Sequence, residues 1–274
     1  MPFTEGVDGA RIHYEVAGRP DGEPLLLIQG VGADLKGWAA QRYALGRRHR
    51  LLLVDNRGAG GSDRPEGAYD LEVMASDAVA ALDAEGIDSA HVMGASMGGV
   101  LAQIIVVRHP HRVRSLVLAC TACHHHEWRV ELLEGWAELA ETRGMRALTG
   151  EAIRWLVGPR HHVRFRLPFG LLGPLVLNLP AHAFAAQARA ITAMSDEVRD
   201  ELRHVAVPTL VIVGSQDILT PLADSDELAE LIPGAELSVI PGAAHGLMIE
   251  AANAFNERVL DFLVRVTDAT VEAA

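Results

Sequence analysis

Short apolar runs alternate with amphipathic segments of helix length along most of this chain, and this alternation limits the folds open to it. An apolar run that ends in a glycine-containing or polar loop predicts a buried strand of a parallel sheet. Seven strands are predicted, the first at a sheet edge: residues 11–16, 24–29, 50–55, 91–95, 114–120, 208–214 and 236–240. Helices are predicted at residues 72–85, 97–109 and 247–266. The pattern predicts an α/β fold, a mostly parallel twisted sheet with helices on both faces.

The alternation stops between residues 122 and 194, where helical periodicity continues without a run typical of a strand. Ligands of open α/β sheets bind beyond the carboxyl ends of the strands, and this segment begins where a predicted strand ends. We therefore predict a helical cap at residues 122–194, inserted between two parts of one core domain, residues 1–121 and 195–274. An additional set of core helices is the alternative interpretation of the same segment.

Charge and cysteine content exclude several classes of partner. The chain has 24 basic and 36 acidic residues, a net charge of −12, so no extended basic surface is expected and nucleic acid is not predicted as a partner. Two cysteines are too few for a disulfide framework, which favours a reducing compartment, and we predict a cytoplasmic protein. No apolar run approaches the length of a membrane-spanning helix, so no membrane partner is expected. The composition is compatible with a homo-oligomer.

Residues 94–99, Gly-Ala-Ser-Met-Gly-Gly, follow a predicted strand and precede a predicted helix. Gly94 and Gly98 permit a sharp turn that lifts Ser96 above the sheet, which is the structural context of the G-x-S-x-G nucleophile motif. The start of the following helix points the Met97 N–H at negative charge that develops beside the serine. Ser96 is therefore predicted to be a catalytic nucleophile.

Two residues further along the chain complete the chemistry that a serine nucleophile needs. The hydroxyl requires a general base, and a histidine base requires a carboxylate that fixes its tautomer. Asp217 follows the predicted strand 208–214, and His245 follows the predicted strand 236–240. Because parallel strands place their carboxyl ends at one edge of the sheet, we expect both side chains to lie near Ser96 and to be catalytic.

The loop after the predicted strand 24–29 has the sequence Gln-Gly-Val-Gly and is expected to hold the oxyanion of the reaction. The N–H groups of Val31 and Met97 are the predicted donors of this oxyanion hole. A second glycine-rich segment, residues 55–65, is interpreted as architecture, with Asp55 and Arg57 tying loops together.

These motifs resemble the α/β-hydrolase superfamily, over nearly the whole chain outside the predicted cap. The D-x-R-G-x-G-x-S loop, the Gly-x-Ser-Met-Gly-Gly turn and the Gly-x-x-Asp-x-x-x-Pro segment are similar to those of bacterial carboxylesterases, 3-oxoadipate enol-lactonases, aclacinomycin methylesterases and cofactor-free haloperoxidases. The resemblance implies an α/β-hydrolase fold with a cap after the sixth strand. It also implies Ser-His-Asp acyl transfer without a metal or organic cofactor. The chain departs from this branch at Gln29, where the branch usually has histidine.

The residues and the resemblance together predict a carboxylic ester hydrolase that acts on a small apolar ester or lactone. Trp128, Trp136 and Trp155 lie in the predicted cap and are predicted to bind substrate, because aromatic side chains often line apolar pockets. Carbon–carbon bond hydrolases, perhydrolases and a low-turnover ligand-sensing protein would keep the same triad and stay open as alternatives. Haloalkane dehalogenases and epoxide hydrolases are excluded, since they use aspartate at the position of Ser96.

The run Cys-Thr-Ala-Cys-His-His-His at residues 120–126 suggests a zinc or redox site as an alternative. A closed zinc site requires a second, distant pair of ligands at typical spacing, and the sequence shows no such pair. No metal site is therefore predicted.

Overall fold

A computed structural model describes residues 2–159 and 179–272 of the chain. Its strands are β1 Phe3–Glu5, β2 Arg11–Gly18, β3 Glu23–Ile28, β4 His49–Val54, β5 Ala90–Ala95, β6 Val113–Ala119, β7 Thr209–Gly214 and β8 Glu236–Ile240. They form one sheet in the order β1-β2-β4-β3-β5-β6-β7-β8. The pairs β1–β2 and β2–β4 are antiparallel, and the strands from β4 to β8 are parallel. The predicted α/β fold with a mostly parallel sheet is confirmed.

Helices cover both faces of this sheet. They are α1 Ala39–Gly46, α2 Leu71–Ala84, α3 Met97–Arg108, α4 Glu127–Arg143, α5 Met145–Leu156, α6 Ala181–Thr192, α7 Glu197–Glu201, α8 Leu222–Leu231, α9 Leu247–Glu250 and α10 Ala252–Glu272. Short 3-10 helices lie at Leu35–Trp38, Pro110–Arg112 and Leu202–His204. None of the helices within the described ranges is long and apolar enough to cross a membrane.

Several elements differ from the sequence prediction, which did not include the helices α1, α7 and α8. The strand β1 was not predicted, because three residues are too few for an alternating pattern to be recognised. The single helix predicted at residues 247–266 is wrong, since the chain leaves helical geometry at Ala251 (φ −128°, ψ 40°) and divides into α9 and α10. Alanine is the strongest helix former, so its presence at the break hid the boundary.

The core lies on both faces of the sheet, and the central strand β3 shows why its residues 25–28 are all apolar. Leu26 and Ile28 pack into the core on one face, whereas Leu25 and Leu27 pack into the core on the other. Successive side chains of a strand alternate between faces, so a strand covered on both sides has no position for a polar residue. Burial of each such side chain contributes roughly 1.5–3 kcal/mol. This packing fixes the carboxyl end of β3, from which the predicted oxyanion loop extends.

The helices α4, α5 and α6 lie between β6 and β7 in the chain, within the predicted cap at residues 122–194. The helix α4 packs against both α5 and α6. Residues 160–178 of the predicted cap, with Phe165 and Phe169, lie outside the described residues. The division of the chain into a core and a cap stays a prediction.

The glycine-rich segment at residues 55–65 ties the end of β4 to its neighbours. Asp55 accepts hydrogen bonds from the N–H groups of Leu35 (2.7 Å) and Gly61 (2.8 Å). Its Oδ2 also lies 2.6 Å from Nδ1 of His13, which belongs to β2. The Ser62 hydroxyl donates to the Asp55 carbonyl oxygen at 2.6 Å. These contacts agree with the architectural role inferred from the sequence.

Arg57, in the same segment, is buried and holds two further acidic side chains. Its Nε donates to Asp77 on α2 at 2.7 Å, and its Nη1 donates to Asp8 at 2.8 Å. The guanidinium lowers the pKa of the Asp8 carboxyl to about 2. Arg57 therefore joins the loop to a helix and to the amino-terminal hairpin.

Candidate active site

Ser96 stands at a strained turn between β5 and α3. Its φ of 52° lies in the left-handed region, which side chains other than glycine rarely adopt. The glycines on either side are required by close approach, because a Cβ at Gly94 would lie 2.0 Å from the Gly98 oxygen and one at Gly98 would lie 2.1 Å from the Ile28 oxygen. The Ser96 N–H donates to the Ala119 carbonyl of β6 at 2.9 Å. Strain of this kind costs roughly 1–3 kcal/mol, and here the packed sheet and helix offset it.

The structure brings the three predicted catalytic residues together in one hydrogen-bonded chain. His245 Nε2 lies 3.0 Å from Ser96 Oγ, and His245 Nδ1 lies 2.9 Å from Asp217 Oδ2. Asp217 follows β7 and His245 follows β8, so both come from the carboxyl edge of the sheet, as does Ser96. The side chains of Asp217 and His245 are buried. The imidazole is therefore placed to accept the Ser96 proton at Nε2 while its other nitrogen faces a carboxylate.

The Asp217 carboxylate is held by its own loop. Its Oδ1 accepts the N–H groups of Leu219 and Thr220, each at 2.9 Å. The Thr220 hydroxyl donates to Oδ2 at 2.8 Å and lies 3.2 Å from His245 Nδ1. These bonds fix the carboxylate so that Oδ2 faces the imidazole and favours the tautomer with its proton on Nδ1. The sequence analysis missed Thr220, although the spacing Asp-x-x-Thr is typical of a loop that an aspartate organises.

The predicted oxyanion loop lies directly beside the serine. A Cβ at Gly30 would lie 3.1 Å from the Ser96 Cβ, so the loop contacts Ser96 at van der Waals distance. Val31 and Met97 both border the space next to Ser96. Among residues 2–159 and 179–272, no backbone acceptor bonds the N–H of Val31 or of Met97. Both predicted donors are therefore close to the serine and open to an incoming oxygen.

A glutamine from α6 holds this loop in place. The Gly32 N–H donates to Gln187 Oε1 at 2.8 Å, and Gln187 Nε2 donates to the Arg57 carbonyl at 2.7 Å. Gln187 is fully buried, so neither bond is exposed to competition from water. The loop is also held at its first residue, since Asn56 Nδ2 donates to the Gln29 carbonyl at 2.8 Å. Sequence reasoning missed Gln187, because nothing local relates it to a loop 155 residues away.

The side chain of Gln29 turns back on its own loop. Its Oε1 accepts the Gly30 N–H at 3.2 Å, and the amide packs against Gly37, where a Cβ would lie 2.6 Å from Nε2. Gln29 is buried at the wall of the cavity beside Ser96. The residue that departs from the resembled branch thus takes part in shaping the oxyanion loop.

A cavity of about 160 Å³ opens beside Ser96 and His245. Most of its wall is apolar, with Trp136, Leu148, Ala152, Phe184 and Met248 among the lining side chains. One acidic residue, Glu250, also borders it, and its carboxylate accepts the N–H groups of Gly158 (2.7 Å) and Ala244 (3.1 Å). The cavity therefore suits an apolar group next to the reacting carbon.

The structure separates the three tryptophans that were predicted to bind substrate. Trp136 is buried and lines the cavity. Trp155 stacks on Trp128, with ring centroids 6.2 Å apart and planes 14° from parallel, and Trp128 is 39% exposed. Neither Trp128 nor Trp155 is part of the wall of this cavity within the described ranges. Aromatic content indicated a segment that borders this cavity, but the face of each helix that points at Ser96 is decided by helix packing.

The cysteine and histidine run at residues 120–126 is divided between unrelated environments. Burial raises the pKa of the Cys120 thiol, and it raises that of Cys123 to about 12. His124 Nδ1 contacts Asp196 at 2.8 Å, and burial lowers the pKa of His125 to about 3. The part of the chain that the structure describes contains no group of three side chains placed to hold a metal ion. Both thiols stay protonated at neutral pH, whereas zinc binding and thiol redox chemistry require thiolate.

Comparison with known proteins identifies the family of this chain. The family model for the alpha/beta hydrolase fold matches residues 23–252. The chain belongs to the α/β hydrolase family and is an enzyme of a hydrolase family.

Its relatives include enzymes named for several substrates. The chain is 31% identical to RutD of Azorhizobium caulinodans, named a candidate carbamate hydrolase, over 96% of this chain and 98% of that one. It is 32% identical to the 2-hydroxymuconate semialdehyde hydrolase of Pseudomonas sp. strain CF600, over 91% and 90%. The crystal structure of an enol-lactonase from Burkholderia xenovorans matches with a TM-score of 0.89 and 30% identity, over 96% of this chain and all of the other.

Proposed function

We propose that this enzyme is a serine hydrolase that cleaves a small apolar carboxylic ester or lactone through an acyl-enzyme. The observation that carries the proposal is the hydrogen-bonded chain from Asp217 through His245 to Ser96, which opens onto an apolar cavity. In the proposed role, Ser96 is the nucleophile, His245 the general base and Asp217 the group that orients it.

In the acylation half, Ser96 Oγ attacks the substrate carbonyl carbon while His245 Nε2 takes the hydroxyl proton. The carbonyl oxygen becomes an oxyanion, which accepts hydrogen bonds from the N–H groups of Val31 and Met97. Asp217 stabilises the imidazolium. When the carbonyl re-forms, the bond to the leaving oxygen breaks and His245 returns the proton to that oxygen. An alcohol is released and the acyl group stays on Ser96.

In the deacylation half, a water molecule replaces the alcohol. His245 Nε2 accepts a proton from the water as its oxygen attacks the acyl carbon. The same two N–H groups hold the oxyanion, and the bond to Ser96 Oγ then breaks as that oxygen takes the proton. The products are a carboxylic acid and the free enzyme, so neither half requires a redox partner.

The shape of the site supports an uncharged, apolar substrate. Most atoms that face the cavity beside Ser96 are apolar, and the Glu250 carboxylate accepts hydrogen bonds from two backbone N–H groups. An anionic substrate group in this cavity would lose its hydration without gaining a cationic partner among the described lining residues. We propose that α4, α5 and α6 act as the cap of this site, and that the enzyme acts in the cytoplasm on a small molecule.

Carbon–carbon bond hydrolysis is the second candidate function. It is favoured by the 32% identity to a 2-hydroxymuconate semialdehyde hydrolase over most of both chains. The same triad serves both reactions, so the choice depends on the groups around the reacting carbon. Carbamate cleavage, named for RutD, is a further acyl transfer that the triad would support.

Turnover of p-nitrophenyl acetate tests the proposal. We expect release of many equivalents of p-nitrophenol per protein, and labelling of Ser96 by a fluorophosphonate, located by peptide mass spectrometry. The matched control is Ser96→Ala, which should lose both signals. Release that stops at one equivalent would overturn the hydrolase proposal in favour of a ligand-sensing protein. Assays with a dienone, a lactone and an aryl carbamate beside the ester separate the candidate substrates, and faster cleavage of the dienone would favour the second candidate.

A further inference from the structure

A second, smaller cavity also borders Ser96. Its volume is about 30 Å³, against about 160 Å³ for the larger one. Ser96 and Val31 line both cavities, whereas His245 lines the larger cavity and is not part of the described wall of the smaller one. Met97, whose N–H is the second proposed oxyanion donor, borders the smaller cavity. The nucleophile therefore lies between two spaces of unequal size and unequal chemistry.

The position of His245 determines which part of an ester occupies the larger cavity. The leaving oxygen must receive its proton from His245 Nε2, so it has to lie within hydrogen-bond distance of that atom. Nε2 is 3.0 Å from Ser96 Oγ, and its ring borders the larger cavity. The alcohol part of the ester is therefore placed in the larger, apolar cavity.

The acyl substituent must point elsewhere. In the tetrahedral intermediate the carbon carries Ser96 Oγ, the oxyanion, the leaving oxygen and the acyl substituent, at four different corners. The first three are directed to the serine, to the Val31 and Met97 N–H groups and to His245. The smaller cavity is the other described space that borders Ser96, and it continues past the Val31 and Met97 donors to Val100 and Leu133, so the remaining corner is assigned to it. One water needs about 10–15 Å³ on this measure, so 30 Å³ holds about two heavy atoms.

Most polar groups around the smaller cavity are already engaged; the buried Nε2 of His125 is an exception, since it has no hydrogen-bond partner among the described residues. The buried Arg129 guanidinium pairs with Asp224 and donates to the carbonyls of Leu219 (2.9 Å) and His124 (3.0 Å). The Thr121 hydroxyl donates to the Ser96 carbonyl at 2.8 Å. An anionic acyl group would meet no unpaired cation among these described side chains, so a neutral group is favoured.

We infer that the enzyme distinguishes the two ends of its ester: it accepts small, neutral acyl groups of acetyl or carbamoyl size carried on bulky apolar alcohols. This inference rests on the proposed acyl-enzyme function. It also predicts a lower kcat/KM for lactones than for such esters. The acyl chain and the leaving oxygen of a lactone belong to one ring and have to share the larger cavity.

Two isomeric esters test whether the bulky group has to be on the alcohol side of the ester. 2-Phenylethyl acetate and methyl 3-phenylpropanoate have the same atoms, and only the orientation of the ester group differs. We expect kcat/KM for the acetate to be at least about tenfold higher, since a single misplaced methylene is already worth about 10–200-fold in a pocket. Equal values, or faster cleavage of the methyl ester, would overturn the inference. Failure to cleave either ester, together with no turnover of p-nitrophenyl acetate, would instead count against the proposed function.

Two leucines give a matched pair of variants. Leu133 on α4 lines the smaller cavity, and Leu148 on α5 lines the larger one. Leu133→Ala should raise kcat/KM for 2-phenylethyl butanoate relative to the acetate by about tenfold. Leu148→Ala removes the same atoms from the other cavity and should leave this acyl ratio unchanged.

Folding of these variants is checked by melting temperature and circular dichroism. If Leu133→Ala fails to fold, Val100→Ala enlarges the smaller cavity with a smaller loss of packing, because Val100 lines it from α3. A folded variant with an enlarged smaller cavity but the wild-type acyl ratio would overturn the inference. So would an equal change of that ratio in Leu148→Ala.

Discussion

Two buried histidine–aspartate pairs lie in the described part of the molecule, and one of the two faces the hydroxyl of an exposed turn beside a cavity. His245 is 2.9 Å from Asp217, and His13 is 2.6 Å from Asp55. In both pairs Nδ1 of the imidazole contacts Oδ2 of the carboxylate, and all four side chains are buried. The two pairs differ in what their other ring nitrogen meets.

His245 Nε2 meets the Ser96 hydroxyl at 3.0 Å, whereas the buried Nε2 of His13 has no hydrogen-bond partner among the described residues. A serine is also close to the second pair, since Ser62 Oγ accepts a hydrogen bond from the backbone N–H of His13 at 2.9 Å. That hydroxyl donates to the Asp55 carbonyl, so its proton is committed to the backbone. The second pair therefore joins β2 to the loop after β4 and has no nucleophile to activate.

The comparison shows that a histidine, an aspartate and a serine in contact do not by themselves make a catalytic site. The serine must stand on a turn that exposes its hydroxyl, and the distal ring nitrogen must face it beside an open cavity. Ser96 meets both requirements, because its φ of 52° lifts it from the sheet. Ser62, with its bonds inside a loop, meets neither.

The largest contrast is expected between the two serines. Ser96→Ala should lower kcat by about 10⁴-fold or more at nearly unchanged stability, since the triad acts as a unit. Ser62→Ala should keep kcat within about tenfold and lower the free energy of unfolding by about 1–2 kcal/mol, because two buried hydrogen bonds are lost. Ester turnover and denaturant unfolding measure the two effects. Near wild-type turnover of Ser96→Ala would show that the nucleophile is misassigned.

We expect the same contrast between the two histidines, with one variant losing turnover and the other losing stability. His245→Ala should lower kcat by about 10⁴-fold, because the general base is removed. His13→Ala should leave the active site intact and lower the free energy of unfolding by about 3 kcal/mol, since Asp55 loses its buried partner. Calorimetric unfolding measures the effect on stability, and ester turnover measures the effect on kcat. If His13→Ala loses activity to the same extent while folded, the two pairs are coupled and the comparison fails.

The aspartates give a smaller effect on rate. Asp217→Asn should lower kcat by about 10³-fold, because the amide favours the wrong tautomer of His245 while Leu219 and Thr220 still hold the side chain. Asp55→Asn is the matched control and should act on stability alone. Turnover of p-nitrophenyl acetate by both variants, with urea unfolding beside it, provides the check. A loss of less than about tenfold in Asp217→Asn would mean that another group orients the base.

A third buried histidine sharpens the comparison, because among the described residues its ring contacts a hydroxyl and no carboxylate. His91 Nδ1 lies 2.8 Å from Ser115 Oγ, and burial lowers the pKa of His91 to about 4. Between the ordinary histidine pKa of about 6.5 and this value, the unfolded chain binds more protons than the folded one. Stability should therefore fall as pH drops from about 6.5 to 4, by roughly 3 kcal/mol from this residue, and the contribution should stay constant below that range.

The variant His91→Gln removes this titration and leaves the carboxylates in place. Urea unfolding at several pH values should show a shallower loss of stability in the variant than in the wild type between pH 6.5 and 4. Parallel curves would show that the buried imidazole does not drive the acid sensitivity.

Much of the fold and of the candidate site could be predicted from local sequence. The alternation of strand and helix segments defined the sheet, because the two periodicities follow from backbone geometry. The turn at Ser96 was visible because only glycine fits at Gly94 and Gly98, and the order of Asp217 and His245 placed both at the carboxyl edge. The helical pattern at residues 122–194 predicted the cap, and resemblance to a family added the expectation of acyl transfer without a cofactor.

Other features were decided only by the tertiary structure. Gln187 reaches Gly32 across 155 residues, and Trp136 faces the cavity while Trp128 stacks outside it. Residue types alone could not show that His245 Nε2 faces the Ser96 hydroxyl beside a cavity, whereas His13 Nε2 is buried without a hydrogen-bond partner among the described residues. The sequence by itself determined which strands, turns and reactive groups the chain contains, since these follow from neighbours a few residues apart. What each buried polar atom faces, and how large each cavity is, depends on how helices pack over the sheet, and that packing joins residues distant in the chain.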